Sequence, residues 1–553
     1  MTVTAKPLPS DPIAPVAGSA AGLREALDRA GALLADETLR RHLVEAPDDR
    51  LQLPRSRHIF VNRNLKLSGI EGIGFDMDYT LARYSMKKIE QLSYELTLER
   101  LVKEKGYPDL IAGLVYDHAF VMRGLAVDRV HGNLVKMNRF GHVGRAWHGL
   151  RQLPTDERRR TYRDTLVRPK DPRFAWIDTL FALPEAFLFA GIIDLMESRS
   201  LRVDYGRLQS DIRETIDTVH RDGSLKAIIK EDLSAYVIQD PELGPMLHRL
   251  RSGGKKLFLM TNSEWPYTDA VMRFLLDGQL PEYTSWRQYF DVVIVGAAKP
   301  GFFSHRAPFM ELDVSQETPR EVGEATRLER GRIYRGGNRA AFEEGTDLRG
   351  DRVLYVGDHI YGDILRSKKT SLWRTCMIVE ELESELDYAE SRAEDINRLA
   401  ALEALRTRLD EEVVARKWTL NTLERRLQRT PPDADREARE QELQQLRRGL
   451  ELVRRAHREA VTLADTIESD IEEGFNPTWG LLFKEGNENS RFGEQVEQYA
   501  CIYTSRASNL LFASPTHYFR GPRERMPHEL AGGATGRMSD TGSEGPPPGA
   551  EHL

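Results

Sequence analysis

Cysteine is nearly absent: Cys376 and Cys501 are the 2 in 553 residues. One possible bridge cannot hold a chain of this length together, which excludes a disulfide scaffold and suits a reducing cytosol. A long apolar run is missing too. The most apolar stretch, 181–196, is interrupted by Pro184, Glu185 and Asp194 and is too short and too charged to span a bilayer. Neither sign of charge dominates, with 79 Lys plus Arg against 86 Asp plus Glu and a net charge of −7. That balance argues against nucleic acid or a membrane as the main partner. Residues 1–20 are proline-rich and lack an apolar h-region, so no secretory signal is expected. What is present is 40% hydrophobic and 8% aromatic residues, enough for a sizeable core. The length predicts roughly three or four domains, or one core carrying insertions.

Residues 1–20 read as a flexible leader, and the apolar spacing of 21–50 predicts an amphipathic helix. Short apolar runs then recur: 72–75, Lys256–Met260, Phe290–Val295, Arg352–Val356 and Thr375–Val379. Helical patterns such as Tyr267–Leu276 separate them. Runs this apolar, alternating with helices, predict strands of a parallel sheet covered on both faces. From 383 to 472 Glu, Arg, Leu and Ala dominate around Pro431-Pro432. Leu443, Leu446, Leu450 and Val453 step three and four apart there, predicting two long helices folded back at the prolines, with one seam for self-packing or subunit contact. Residues 473–529 are expected to pack on the core as a helical segment, and 530–553, rich in Gly, Ser and Pro, to be disordered.

The chemistry is concentrated where these strands end. The first runs into Asp76-Met-Asp78, the second into Thr261-Asn262-Ser263, the third is followed by Lys299, and the fourth by Asp358 and Asp363. In a parallel sheet all of them fall along one edge, where ligands sit. Two carboxylates on a turning chain can diverge into a nucleophile and an acid–base group. A hydroxyl with neighbouring N–H groups suits phosphate oxygens, and a lysine neutralises them.

With Asp76-x-Asp78, Thr261, Lys299 and Asp358/Asp363 in this order, the sequence resembles the haloacid dehalogenase superfamily of phosphotransferases. The wording Phe75-Asp-Met-Asp-Tyr-Thr80, Thr261-Asn-Ser263, Gly357-Asp-His-Ile-Tyr-Gly-Asp363, Ser367-Lys-Lys369, Arg123-Gly-Leu125, Thr179-Leu-Phe-Ala-Leu-Pro-Glu185 and Met526-Pro-His-Glu529 is similar to the cytosolic purine 5′-nucleotidases specific for IMP and GMP. The resemblance covers about 58–380 and 475–529. It implies an α/β fold with a Rossmann-like parallel sheet: a core at 51–82 and 245–382 and a cap domain at 83–244; the helical hairpin at 383–472 lies outside the resemblance. About 180 residues separate Thr80 from Thr261, far beyond an ordinary strand–helix loop and enough for a cap over the crevice.

By the same resemblance the activity is magnesium-dependent hydrolysis of IMP, GMP and their deoxy forms through an aspartyl-phosphate, with possible transfer of the phosphoryl group to another nucleoside. Asp76 is the nucleophile and Asp78 the general acid and base. Thr261, Asn262, Ser263 and Lys299 hold the phosphoryl group. Mg²⁺ is bound by Asp76, Asp358 and the Asp78 carbonyl, with Asp363 supporting. Arg213, Asp217 and His220, spaced four and three apart on one helix face, match the base-reading residues, and Lys226 reaches the phosphate. Arg221 stands where the family has an aromatic, which leaves base stacking there open. An effector site matches Arg168, Asp178, Phe181, Tyr361 and Lys369, with Asp178 in place of an asparagine that would accept a polyphosphate better. A cytoplasmic homo-oligomer (dimer or tetramer) is implied. Two other readings stay open: the same chemistry on another small phosphate monoester, and a non-catalytic assembly protein built on the hairpin.

Overall fold

The computed structural model describes Arg29, Ala35 and residues 53–529, apart from 317, 361–362, 364–370, 429–433, 525 and 527–528. The chain divides into two units, 1–54 and 55–553. In the first, Arg29 and Ala35 are helical and exposed. The expected leader and tail, most of the expected helix at 21–50, and the Pro431-Pro432 turn lie outside the described residues.

A ten-stranded sheet organises the second unit. Its middle is parallel, in the spatial order Ile502–Thr504, Arg374–Ile378, Val353–Gly357, Gly72–Phe75, Lys256–Met260, Val292–Val295, Ile333–Gly336. Phe60–Val61 closes one edge antiparallel, and Phe309–Asp313 with Arg320–Ala325 the other. Gly72–Phe75, Val292–Val295 and Val353–Gly357 are buried throughout, as expected for strands covered on both faces. Gly74 is required by packing: a Cβ there would stand 2.2 Å from ring atoms of Phe258 on the next strand.

Gly72–Phe75, the first of these strands in sequence, lies between Val353–Gly357, the fifth, and Lys256–Met260, the second. The connections therefore depart in opposite directions from Gly72–Phe75 and Val353–Gly357, opening a crevice beyond their carboxyl ends. The long insertion sits there. Its entry strand, Arg83–Tyr84, pairs antiparallel with its exit strand, Val237–Ile238, so both passages meet in one ribbon. Between them lie a five-stranded antiparallel sheet ordered Arg151–Gln152, Val143–His148, Asn133–Met137, Leu125–Asp128, Phe174–Ile177, and several helices. The helix Tyr205–Arg221 starts on an Asp204 side-chain cap and buries Leu208, Ile212 and Val219 along one stripe.

The charged region forms two long helices, Ala393–Gln428 and Ala434–Phe475. Arg447–Glu424 and Arg392–Asp470 pairs show them antiparallel. Leu443, Leu450 and Val453 are buried, and Val413 packs on the last two across the seam. Among the described residues no helix is long and apolar enough to cross a membrane.

The segment 473–529 differs from the helical expectation. Besides the helix Arg491–Tyr499 it adds Ile502–Thr504 to the central sheet beside Arg374–Ile378, and Tyr518–Phe519 pairs with Leu65–Lys66. A three-residue strand has no periodicity to read; only the open sheet edge next to Cys376 defines it.

Candidate active site

The four strand ends converge. Asp76 follows Gly72–Phe75 directly, and its N–H donates to the Val356 carbonyl at 2.9 Å, holding the turn against the neighbouring strand. The chain then reverses: Tyr79 has φ +54°, and the N–H groups of Thr80, Leu81 and Ala82 all point to the Met77 carbonyl. Asp76, Asp358 and Asp363 bring carboxylate oxygens within 4.8 Å of one another. Gly357 makes this possible, because a Cβ there would stand 2.7 Å from the Asp363 side chain.

Lys299 is the cation among these acids. Its Nζ lies 2.8 Å from Asp76 Oδ2 and 2.7 Å from Asp363 Oδ1, and donates to Tyr355 Oη at 2.9 Å. Asn262 holds the lysine backbone from both sides, accepting its N–H at 2.6 Å and donating to its carbonyl at 2.9 Å. Arg123, with no exposed side-chain surface, makes a two-pronged contact with Glu381 and donates to the Asp358 carbonyl at 3.1 Å.

Burial and like charge dominate the electrostatics. Burial pushes Asp76 up to about 7; Lys299 pulls it down, while Asp363 and Asp78 push it further. Asp358 is raised by burial and then by Asp363 and Asp76. Burial alone would lower Lys299, but Asp363 and Asp76 reverse this and hold it protonated. Three acids facing one lysine leave an excess of negative charge in a dry site. An all-oxygen donor set of this kind suits a hard divalent cation such as Mg²⁺.

Asp78 lines a cavity of about 590 Å³ enclosed by the core and the insertion. Core residues Asn262, Ser263, Tyr267 and Lys299 line its floor; Phe181, Asp217, His220, Arg221 and Lys226 come from the insertion. Thr261 is buried, and its Oγ1 accepts the Ser263 N–H at 3.0 Å. Ser263 Oγ donates to Asp78 Oδ2 at 2.7 Å, and Lys226 Nζ donates to Ser263 Oγ at 3.0 Å. The His220 ring stands edge-on to Phe181, with centroids 5.1 Å apart. Burial, then the nearby Lys226, lower His220 to about 4, so the imidazole is neutral at physiological pH.

Thus Asp76, Asp78, Thr261, Asn262, Ser263, Lys299, Asp358 and Asp363 come together, with Asp217, His220 and Lys226 above them. Arg213 is placed otherwise. Its guanidinium pairs with the fully buried Glu185 at 2.8 Å and donates to the Trp176 carbonyl at 3.2 Å, and it is not among the cavity-lining residues. Phe181, expected in an effector site, lines this cavity. Arg168 is exposed and Asp178 half-buried, while Tyr361 and Lys369 lie outside the described residues. Sequence reasoning missed Tyr84, Tyr267 and Tyr355, hydroxyls with no spacing signal. Arg123 was visible only as part of a motif.

Residues 59–531 match the profile of the 5′ nucleotidase family. A 5′-nucleotidase domain-containing protein of Dictyostelium discoideum is 31% identical over 484 residues, 85% of this chain and 75% of that protein. The 5′-nucleotidase domain-containing protein 2 of Rattus norvegicus is 36% identical over 352 residues, covering 62% of each chain. Its Homo sapiens counterpart is 35% identical over 352 residues, 62% of this chain and 66% of that one. This chain therefore spans less than two thirds of either mammalian protein. With the profile covering the insertion, both halves of the core and the hairpin, the chain belongs to the 5′-nucleotidase family and is a phosphoric monoester hydrolase.

Proposed function

We propose that the protein is a magnesium-dependent 5′-nucleotidase that hydrolyses purine nucleoside monophosphates such as IMP and GMP through an aspartyl-phosphate. One observation carries this reading: Lys299, which lines the same cavity as Asp78, reaches the Asp76 carboxylate at 2.8 Å, and Asp76 in turn clusters with Asp358 and Asp363. In this proposal the core is of the haloacid dehalogenase type, and residues 83–244 are its cap.

A phosphate monoester is a doubly charged anion, so catalysis is mostly charge neutralisation and in-line positioning. Lys299, Lys226, Thr261 and Ser263 hold the phosphoryl oxygens. Asp76 attacks phosphorus; the ester bond breaks, and the leaving 5′ oxygen takes a proton from Asp78. Asp78, now ionised, takes a proton from water as that water attacks phosphorus, releasing inorganic phosphate and restoring Asp76. A nucleoside hydroxyl can replace the water, which gives phosphotransfer. Asp76, Asp358 and the Asp78 carbonyl would hold Mg²⁺ with Asp363 behind them, and the ion would supply charge neutralisation at the phosphoryl oxygens. The Asp217 carboxylate is the acceptor for a ring N–H of a 6-oxopurine, with Phe181 and His220 as the wall beside it.

Engagement of Arg213 by Glu185 favours a second reading, the same chemistry on a monoester with a different leaving group. A cytoplasmic location agrees with the unpaired thiols of Cys376 and Cys501. A homo-oligomer and an effector site at Arg168 and Asp178 rest on resemblance. The test is phosphate release over a panel of nucleoside monophosphates with Mg²⁺ and with EDTA. Preference for IMP and GMP, lost with EDTA and in Asp76→Asn, is expected. An Asp76→Asn protein of full activity refutes the mechanism.

A further inference from the structure

Both oxygens of Asp78 are engaged, by donors of different kinds. Tyr84 Oη donates to Oδ1 at 2.5 Å, and the Tyr267 hydroxyl lies 3.0 Å from that of Tyr84. Ser263 Oγ donates to Oδ2 and itself accepts from Lys226. Tyr84 and Tyr267 are 2% and 5% exposed.

A carboxyl that delivers a proton carries it on one oxygen and keeps acceptor capacity on the other. The bond from Tyr84 to Oδ1 is compatible with both states, because Oδ1 accepts in each. The bond from Ser263 to Oδ2 is not, because a proton on Oδ2 displaces the serine hydroxyl hydrogen. That hydroxyl is a rotor and can re-aim while its oxygen keeps the Lys226 bond. One oxygen is therefore clamped and the other exchangeable.

Resting on the reading of Asp78 as general acid and base, we propose that Tyr84 is a positioning residue: it fixes Oδ1 and so makes Oδ2 the oxygen that gives its proton to the leaving group and then takes one from water. Tyr84 belongs to the ribbon Arg83–Tyr84 with Val237–Ile238, where the insertion both leaves and rejoins the core. The acid is thus aimed by the ribbon that joins the insertion to the core. Tyr267, on the helix Trp265–Leu276, braces Tyr84 and lies under Lys226, whose Nζ is 5.1 Å from the ring centroid.

A general acid matters in proportion to the basicity of its leaving group. A ribose 5′ alkoxide needs one; p-nitrophenolate leaves without. Tyr84→Phe keeps the ring, including its edge-on contact with Tyr79 at 5.1 Å, and removes one donor. The experiment compares single-turnover phosphoryl transfer from IMP and from p-nitrophenyl phosphate in wild type, Tyr84→Phe, Tyr267→Phe and Asp78→Asn. In Tyr84→Phe the ratio of the nucleotide rate to the aryl rate falls at least tenfold, with KM for IMP within about twofold, since general acid–base catalysis supplies roughly 10²–10⁴-fold in all. Tyr267→Phe shifts the ratio the same way by about threefold, and it supplies the comparison should Tyr84→Phe not fold. Equal loss on both substrates, or no change in the ratio, overturns the proposal. Asp78→Asn with an unchanged ratio overturns instead the general-acid reading beneath it.

Discussion

Truncating Arg213 to alanine separates structural from base-reading work at that position. Gln209 and Arg213, one turn apart on Tyr205–Arg221, both bond Glu185, whose side chain is fully buried. Burial pushes the Glu185 carboxyl up to about 7 against the pull of Arg213 and Gln209. A carboxyl raised in the folded state contributes stability below its unfolded pKa, and that contribution is lost as pH rises from about 4.5 to the folded value. At pH 6 Glu185 is largely protonated in wild type and variant alike, so losing the guanidinium costs little beyond its packing. Without Arg213 the carboxyl stays neutral past 7, and each further pH unit adds up to about 1.4 kcal/mol. Arg213→Ala is therefore about 2 kcal/mol less stable than wild type at pH 8.5 and nearly equal at pH 6. Urea unfolding at the two pH values measures this, and Glu185→Gln in the same background removes the pH dependence. KM for IMP changes less than threefold. A stability difference flat in pH, with a tenfold rise in KM for IMP and none for a pyrimidine monophosphate, would refute the reasoning and return Arg213 to base recognition.

Mg²⁺ at 100 times its dissociation constant raises stability by about 2.7 kcal/mol through binding the folded state, read as a higher thermal midpoint; the gain is absent in Asp358→Asn, and a gain that survives there would move the ion elsewhere. His220, lowered to about 4, contributes stability that is complete above the unfolded value near 6.5 and disappears as pH falls through 4. Its ring protons should therefore titrate near pH 4 by NMR; a midpoint at 6 or above contradicts the buried neutral imidazole. Arg123→Met leaves Glu381 without its guanidinium partner and the Asp358 carbonyl without its donor, and is expected to cost about 3–5 kcal/mol in urea unfolding. A loss under 1 kcal/mol would show that the contact does not brace the site.

The half of the candidate site at the sheet edge was legible because each of its residues sits at or just beyond the end of an apolar run, where covalent continuity decides position. Asp76, Thr261 and Asp358 directly follow their strands, so finding the strands places them. Lys299 lies four residues past Val295, still on the loop that must cross the same edge. The half contributed by the insertion was less legible. Arg213 and Asp217 share a helix face by spacing, but spacing does not say what lies opposite. The buried Glu185 from another helix claims Arg213, and Asp217 is left to the cavity. Tyr84, Tyr267 and Ile502–Thr504 gave no signal, since a single hydroxyl or a three-residue strand takes its meaning from the partners the folded chain brings to it, 6 residues away for Tyr84 and Asp78 and 183 for Tyr84 and Tyr267.

By itself the amino-acid order determined the parallel sheet, the edge on which its acids gather, the insertion and the two long charged helices, because periodicity, length and strand-end position are local properties that hydrophobic burial enforces wherever they occur. The folded chain alone decided which oxygen of Asp78 meets Tyr84, which carboxylate holds Arg213, how close three acids stand around Lys299, and that the C-terminal segment completes the sheet. Those are matters of direction and distance, most of them between elements remote in sequence, set by how the layers close on one another.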